Sequence, residues 1–182
     1  MIPKIIHQMN YAETSVVKAS QESIARTNPD WDYKFWDDEA VSRLIRDKMP
    51  YKYKVWNTLP NKKIQKWDIA RYLLVGKLGG MYADIDTIFH KNLNEILDLD
   101  KRLIFRGPVS LNTKKPFIKN HFFLSKTDDP FWGYVYSRIA KFKKDRAFHF
   151  RRNAHRATGC ISLGLSFCDY VDGNRLSLSD VQ

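Results

Sequence analysis

The stretch GGMYADIDT, residues 79–87, constrains the fold more than any other part of the sequence. Before it, from Lys62 to Leu78, apolar residues recur at the three-and-four spacing of one helical stripe. Gly79-Gly80 supplies residues that adopt a positive φ without strain, which ends a helix. MYADIDTIF then has the pattern of a strand entering a loop. The predicted stripe on the helix consists of Ile64, Trp67, Ala70, Leu74 and Leu78.

The other segments predict alternating strands and helices. The predicted strands are PKIIHQ (3–8), DYKFWD (32–37), RLIFRG (102–107) and HFFLS (121–125). The predicted helices are TSVVKASQESIARTN (14–28) with Thr14 or Ser15 as N-cap, DDEAVSRLIRDKM (37–49) and DPFWGYVYSRIAKFKK (129–144). Residues 50–61 carry prolines at both ends and are predicted to be partly irregular. This order predicts an α/β fold in which at least part of the sheet is parallel.

Length and composition predict one compact domain. No linker or repeat divides the 182 residues, so we expect a single domain over residues 1–182. No apolar run reaches the roughly 20 residues of a membrane helix. The N-terminus has no visible signal peptide, so we expect a cytoplasmic protein. Cys160 and Cys168 lack the spacing of a metal site and are expected to be free thiols.

The charge of the chain predicts an anionic substrate, partner or surface. The net charge is +11, from 31 Lys and Arg against 20 Asp and Glu. Residues 138–156 hold eight Lys or Arg and one acid, Asp145, which fits either a solvated basic face or an anion-binding surface. A pI near 9.6 also raises a nucleic-acid-binding domain as an alternative. No helix-turn-helix, zinc-finger, K homology or RNP-like pattern is present, so we expect no nucleic-acid partner.

Asp84 and Asp86 are the most informative pair of acids. In an extended segment, residues i and i+2 point to the same face, so their carboxylates would converge and repel unless a cation joins them. Oxygen ligands of this kind suit Mg²⁺ or Mn²⁺. An EF-hand is excluded because Phe89 occupies the position that requires glycine. A glycosidase acid pair fits poorly, because its two carboxylates must flank the bond that is broken, and residues this close on the same face do not. The alternative interpretation, in which the two acids only form a solvated turn at a strand end, remains open.

The preceding helix adds a second pair of charges. Asp68 and Arg71 are i and i+3 on the predicted helix, so they share a face. The turn at Gly79-Gly80 returns the chain toward them. Two acids that bind a cation would then lie beside an arginine that binds an anion. This combination is what a metal-diphosphate ligand requires, although the helical pair alone would also fit an ordinary surface ion pair.

These residues, with IPKIIHQMN (2–10) and NHFFLSKTDDPFW (120–132), resemble glycosyltransferase family 32. That group carries a DXD motif and includes fungal α-1,6-mannosyltransferases and bacterial capsular sugar transferases. WDIARYLLVGKLGGMYADIDT (67–87) is also similar to the catalytic domains of the clostridial glucosylating toxins. The resemblance implies a GT-A fold, a Rossmann-like mixed sheet flanked by helices. It also implies transfer of a hexose from a UDP- or GDP-sugar to a glycan, lipid-linked or other hydroxyl acceptor, with retention and with Mn²⁺ or Mg²⁺.

The resemblance also assigns roles to residues. Asp86 would bind the metal, and Asp84 would contact the ribose and sugar hydroxyls of the donor or reach the ion through water. Asp68 and Arg71 would hold the donor sugar and its phosphate side, and these four residues form the implied catalytic group. Further implied donor-binding residues are Ile6, His7, Gln8, Tyr72 and Gly80. The implied acceptor residues are Asn120, Thr158 and Gly159. For His7 and Asn120, an ordinary structural role at a strand end remains open.

The sequence departs from the family pattern near its C-terminus. Many relatives have Thr-Gly-Pro where this chain has TGC (158–160), and then a segment with His or Trp that completes the site. The sequence ends at Gln182 without that segment. Either another residue of the tail takes the place of the missing segment, for example His149, His155 or Asp172, or the site is more hydrated and weaker. A catalytically degenerate binding module therefore remains an alternative. Contact of residues 138–156 with an anionic membrane would suit a lipid-linked acceptor.

Overall fold

The computed structural model describes residues 1–59, 64–111, 116–145, 153–173 and 175–182. The helices are α1 (Ser15–Thr27), α2 (Asp38–Lys48), α3 (Pro50–Asn57), α4 (Ile64–Leu78), α5 (Pro130–Asp145), α6 (Ala154–Ala157) and α7 (Cys160–Asp172). The strands are β1 (Ile5–Met9), β2 (Asp32–Trp36), β3 (Gly80–Ala83), β4 (Leu103–Phe105), β5 (Val109–Ser110), β6 (Phe117–Ile118) and β7 (Phe122–Ser125).

Five strands form one mixed sheet in the order β2-β1-β3-β7-β4, and β5 pairs with β6 separately. β1 runs parallel to β2 and β3, whereas β7 runs antiparallel to β3 and β4. The predicted α/β class with a partly parallel sheet is therefore confirmed. His7 lies opposite Tyr82 in the register, so the end of β1 stands beside the strand that leads to the two acids.

The core covers both faces of this sheet because strand side chains alternate. On one face, Tyr82 of β3 and Phe123 of β7 pack into the cluster formed with α4 and α5. On the other face, Met81 and Leu124 pack with Ile24 of α1. Helix α4 is thus enclosed by the sheet on one side and by α5 on the other.

Most of the predicted elements agree with the structure to within two residues at each end. Thr14 caps α1, since its hydroxyl accepts a hydrogen bond from the backbone N–H of Val17. Gly79 and Gly80 have φ of 69° and 84°, as the predicted turn requires. A Cβ on Gly80 would lie 2.6 Å from the carbonyl oxygen of Ile5, so a glycine there also lets β3 approach β1.

The segment predicted to be partly irregular, residues 50–61, begins with helix α3 at Pro50–Asn57. Pro50 occupies the first turn of α3, where its missing N–H costs no hydrogen bond. Thr58 and Leu59 follow α3 as a turn and a bend, and residues 60 and 61 lie outside the described residues. The single apolar stripe predicted on α4 is too narrow. Ile64 is exposed, whereas Ile69 and Leu73, which lie outside the predicted stripe, are buried against neighbouring elements.

The C-terminal tail lies beside the edge of the sheet. Val181 forms a parallel bridge with Leu103, and Gln182 exchanges backbone hydrogen bonds with Leu103 and Phe105. This placement depends on backbone pairing, which the polar sequence of the tail does not indicate. Across the described ranges, no helix has both the length and the apolar character needed to cross a membrane.

Candidate functional site

The two acids of the DXD motif follow the end of β3. The strand ends at Ala83, and a turn begins at Asp84, whose carbonyl oxygen accepts a hydrogen bond from Thr87 N over 3.0 Å. The prediction that Asp84 and Asp86 lie on one face of an extended segment is therefore wrong. Asp84 and Asp86 nevertheless line the same cavity, because the turn holds both beside it.

This cavity, called the DXD cavity below, has a volume of about 690 Å³. Its wall combines the motif with the end of β1, the start of α1 and the start of α4. Trp67 donates from Nε1 to the hydroxyl of Tyr11 over 2.6 Å, and the two rings meet edge to face at 4.8 Å. The lining residues are Met9, Asn10, Tyr11, Thr14, Val16, Ile64, Trp67, Arg71, Tyr82, Asp84, Ile85 and Asp86.

Asp84 is held in place through one of its two oxygens. Oδ1 accepts from Arg71 Nη1 over 3.0 Å and from the Tyr82 hydroxyl over 2.8 Å. Arg71 also lies 4.7 Å above the Tyr82 ring and donates to the carbonyl oxygen of Asn120 over 2.9 Å. Oδ2 of Asp84 has no hydrogen-bonding partner within the described part of the chain, so it is available to a ligand.

Asp68 lies at the centre of a buried hydrogen-bond network. Asn120 Nδ2 donates to Oδ1 over 2.9 Å, and Thr158 Oγ1 donates to Oδ2 over 2.8 Å. Tyr72 joins these two partners, since its hydroxyl accepts from Asn120 Nδ2 and donates to the Thr158 carbonyl oxygen. Arg71 Nη2 is 3.6 Å from Oδ1 of Asp68. Asp68 is only 4% exposed, and both of its carboxylate oxygens accept hydrogen bonds from side chains of the protein.

The pKa values in this network follow from burial and charge. Burial raises the pKa of Asp68, although Arg71, Thr158 and Asn120 favour its ionised form. Burial disfavours the charge on Arg71, but the neighbouring Tyr82, Asp84 and Asp68 outweigh it and raise the pKa of Arg71. Burial also raises the pKa of Tyr82, so its hydroxyl stays a donor to Asp84 at neutral pH. Arg71 is therefore a fixed cation beside the cavity.

Asp86 differs from the other three charged residues of the predicted site. Its side chain is exposed, lines the DXD cavity and has no hydrogen-bond or ion-pair partner among the described residues. Together with Oδ2 of Asp84 it offers hard carboxylate oxygens, which suit Mn²⁺ or Mg²⁺. No group of three or more metal-ligating side chains occurs in the described ranges. A cation held here would complete its coordination with water or ligand oxygens, as Mg²⁺ commonly does.

The three residues predicted at the end of β1 lie behind the cavity wall. Ile6, His7 and Gln8 are 0% exposed, and the cavity is lined instead by the residues that follow them. His7 has a satisfied ring, since Nδ1 accepts from Trp36 Nε1 and Nε2 lies 2.9 Å from the carbonyl oxygen of Gly79. Burial lowers the pKa of His7 to about 4. The side chains of Ile6, His7 and Gln8 are therefore not part of the cavity surface.

Side chains from β1 and α1 fasten the DXD turn through its backbone. Gln8 Nε2 donates to the carbonyl oxygen of Asp84 over 3.1 Å and to the hydroxyl of Ser20 over 2.8 Å. Ser20 in turn donates to the carbonyl oxygen of Thr87 over 2.6 Å. Ser23 accepts from Phe89 N over 2.9 Å. The sequence carried a signal that was missed, because Ser20 and Ser23 fall three apart on the buried side of α1.

The remaining predicted residues divide into two groups. Tyr72, Asn120, Thr158 and Gly159 are buried around Asp68, and a Cβ on Gly159 would lie 3.3 Å from Asp68 Oδ2. Gly80 starts β3 away from the cavity lining. Tyr11, Trp67 and Tyr82 belong to the cavity wall but were not predicted. Among the proposed tail substitutes, His155 and Asp172 do not line the cavity, and His149 lies outside the described residues.

Comparison with known proteins identifies the family and the fold of the chain. The model of the family described as glycosyltransferase sugar-binding region containing DXD motif matches residues 14–103. The chain is 30% identical to inositol phosphoceramide mannosyltransferase 3 of Schizosaccharomyces pombe, over 68% of this chain and 35% of that protein. Identity to inositol phosphoceramide mannosyltransferase 1 of the same yeast is 26%, over 93% and 52%. The chain thus spans about half or less of the length of these relatives.

A third relative and a solved structure extend the comparison. Mannosyl phosphorylinositol ceramide synthase SUR1 of Saccharomyces cerevisiae is 27% identical, over 76% of this chain and 38% of that protein. The structure named PaToxG Glycosyltransferase matches with a TM-score of 0.72 at 18% identity, over 94% of this chain and 71% of that one. This similarity confirms the predicted GT-A fold. The chain belongs to the family of glycosyltransferases whose sugar-binding region contains a DXD motif.

Proposed function

We propose that this chain transfers a sugar, most simply mannose, from a nucleotide-sugar to an acceptor hydroxyl. The observation that carries the proposal is the contrast between the two motif acids. Asp84 is fixed by Arg71 and Tyr82, whereas Asp86 stands exposed and unpaired in the same cavity. The fixed carboxylate of Asp84 beside the unpaired carboxylate of Asp86 would suit a divalent cation that binds together with a diphosphate. The sugar is taken from the names of the yeast relatives, which are mannosyltransferases.

The residues of the cavity would divide the work of binding and leaving-group departure. Asp86 and Asp84 would hold Mn²⁺ or Mg²⁺, which when bound neutralises charge on the departing diphosphate. Arg71 would donate to the same diphosphate, because its Nη2 makes only the 3.6 Å ion pair with Asp68 among the described residues. Asp68 would act by positioning Arg71 and not by touching the sugar, since its oxygens are already bonded. Retention, with an α-linked product, remains part of the proposal.

The aromatic wall would receive the nucleoside. Tyr11 and Trp67 form an edge-to-face pair at the cavity, and such rings offer apolar faces to a flat base. The acceptor is proposed to be lipid-linked, because the relatives are named for inositol phosphoceramide. Peripheral contact of residues 138–156 with anionic membrane belongs to the same proposal, although residues 146–152 of that segment lie outside the described ranges.

A second candidate is a module that binds the nucleotide-sugar without transferring it. It is favoured by the absence of a third carboxylate, histidine or cysteine ligand at the two motif acids within the described residues. Single-turnover hydrolysis or transfer distinguishes the two candidates, because only an active site breaks the bond between sugar and phosphate. Turnover that requires Mn²⁺ and Asp86 would favour the enzyme.

The deciding experiment is a thermal-shift screen of UDP- and GDP-sugars with and without Mn²⁺. Asp86→Asn removes the proposed ligand charge while keeping the shape of the side chain. Asp100→Asn removes the same charge at another exposed position and is the matched control. We expect stabilisation by one donor in the wild type and the control, dependent on Mn²⁺ and lost in Asp86→Asn. Equal stabilisation of all three proteins, or none with any donor, would contradict the proposal.

A further inference from the structure

A second cavity, called the basic cavity below, lies between α5, α6 and α7. Its volume is about 540 Å³. It is separate from the DXD cavity, because the two cavities share none of their described lining residues. The residues that line it are Arg138, Lys141, Phe142, Asp145, Asn153, Arg156, Ser162 and Leu165.

The charges of this cavity are mostly positive and only partly neutralised. Arg138 is paired with Asp169 of α7. Lys141 and Arg156 have no side-chain hydrogen bond or ion pair to any described residue, and Asp145 is the one acid in the described lining. Three cations against one carboxylate favour an anionic ligand. Arginine and lysine together suit phosphate, since arginine provides a planar fork of donors and lysine a mobile point charge.

The basic cavity adjoins the buried network around Asp68. Arg156 is two residues before Thr158, whose hydroxyl donates to Asp68 Oδ2 over 2.8 Å. Helix α6, which carries Arg156, also contacts both α4 and α5. A ligand anchored at Lys141 and Arg156 would therefore lie beside the end of α4 that carries Asp68 and Arg71.

We infer that the basic cavity binds the phosphate group of an anionic acceptor. This inference rests on the proposed function, because it assigns the donor diphosphate to the DXD cavity and the acceptor phosphate to the second cavity. The volume exceeds the needs of a phosphate alone and leaves room for a polyol attached to it. The shared chemistry is a phosphate mono- or diester, whether it comes from a lipid headgroup or from a soluble molecule.

Calorimetric titration with glycerophosphoinositol tests the inference, since this probe is a soluble phosphodiester of inositol. Lys141→Gln and Arg156→Gln each remove one unpaired cation. Lys144→Gln is the matched control, because Lys144 is exposed on the same helix outside the described lining. We expect each cavity variant to bind about tenfold more weakly, as loss of one charge-assisted hydrogen bond implies, and the control to bind as the wild type does.

Two further probes test which parts of the ligand the basic cavity recognises. Neutral myo-inositol should bind much more weakly than glycerophosphoinositol, and equal binding would overturn the inference because the phosphate would not be recognised. Inorganic phosphate should also bind more weakly, and equal affinity would overturn the assignment to an acceptor. Equal binding by wild type and both cavity variants would overturn the location.

The Mn²⁺-dependent thermal stabilisation by a donor distinguishes failure of the basic-cavity inference from failure of the proposed function. A wild type that is stabilised by a donor but does not bind glycerophosphoinositol would overturn the basic-cavity inference and leave the proposed function intact. A wild type that binds glycerophosphoinositol but no donor would overturn the proposed function. Retention of the donor shift in Lys141→Gln and Arg156→Gln is expected, and it shows that both variants are folded.

Discussion

Replacing Thr158 by valine tests whether the Asp68 network stabilises the fold as described. Valine keeps the branched shape of threonine but removes the hydroxyl that donates to Asp68 Oδ2 over 2.8 Å. Thr158 is 0% exposed and Asp68 4% exposed, so water does not readily replace the lost donor. The change therefore leaves one oxygen of a buried carboxylate unsatisfied.

The expected cost follows from the charge and burial of this bond. A hydrogen bond to a charged group contributes about 1.5–3 kcal/mol, so we expect the free energy of unfolding to fall by about 2 kcal/mol. In a chain of this length that loss lowers Tm by about 4–8 °C. Urea unfolding measures it directly. Thr127→Val is the matched control, because its exposed hydroxyl donates to the neutral carbonyl oxygen of Leu78, and it should change stability by less than about 0.5 kcal/mol.

The pH dependence of this cost distinguishes the charged bond from simple packing. Burial raises the pKa of Asp68, and the Thr158 bond opposes that rise because it favours the ionised form. Asp68 takes up its proton as the pH falls, so the cost of Thr158→Val should shrink on acidification. A cost that is the same at neutral and acidic pH, or no greater than that of Thr127→Val, would contradict a charged hydrogen bond between Thr158 and Asp68.

Two other perturbations test His7, which the resemblance placed in the donor pocket, and Ser20, which the sequence did not identify. Burial lowers the pKa of His7 to about 4, below the ordinary histidine value of 6.5, so the unfolded chain binds the proton first as pH falls. Stability should then drop by up to about 3 kcal/mol between pH 6.5 and 4, and His7→Gln should flatten that profile in urea titrations; an unchanged slope would contradict this. Ser20→Ala should cost about 1–2 kcal/mol and weaken the Mn²⁺-dependent donor shift, because it frees the carbonyl oxygen of Thr87. Ser137→Ala, at an exposed hydroxyl bonded to Gly133, is its control, and equal effects on the donor shift would count against a role for Ser20.

Local patterns in the sequence predicted much of the fold and part of the site. The spacing of Asp68 and Arg71 placed both on one helical face, and the ion-pair distance of 3.6 Å agrees. The Gly79-Gly80 pair predicted the turn, because few other residues adopt two successive positive φ values. Such features depend on residues close in the chain, and this is why they could be inferred without a structure.

The features that the sequence did not predict depend mostly on contacts between residues that are distant in the chain. Nothing near Asp68 in the sequence indicates that Asn120 and Thr158 bury it, since they are 52 and 90 residues away. The sequence left open whether His7 lines a ligand pocket or has a structural role at a strand end, and Trp36 and Gly79 satisfy its ring nitrogens. The turn at Asp84 overrode the extended geometry expected of the motif. Tertiary partners decided each case.

The long spans across the Asp68 network also bear on how the protein folds. Bonds that join residues 52 and 90 positions apart form only after long loops close, and such closure slows folding. During synthesis, Thr158 is made after most of the sheet. Arg71 would therefore lack its full support in an incomplete chain, so the arrangement of Asp68, Arg71 and Asp84 would form as one of the last events in biogenesis. Pulsed hydrogen exchange would follow that order, with protection near Thr158 appearing after protection in β1 and β3.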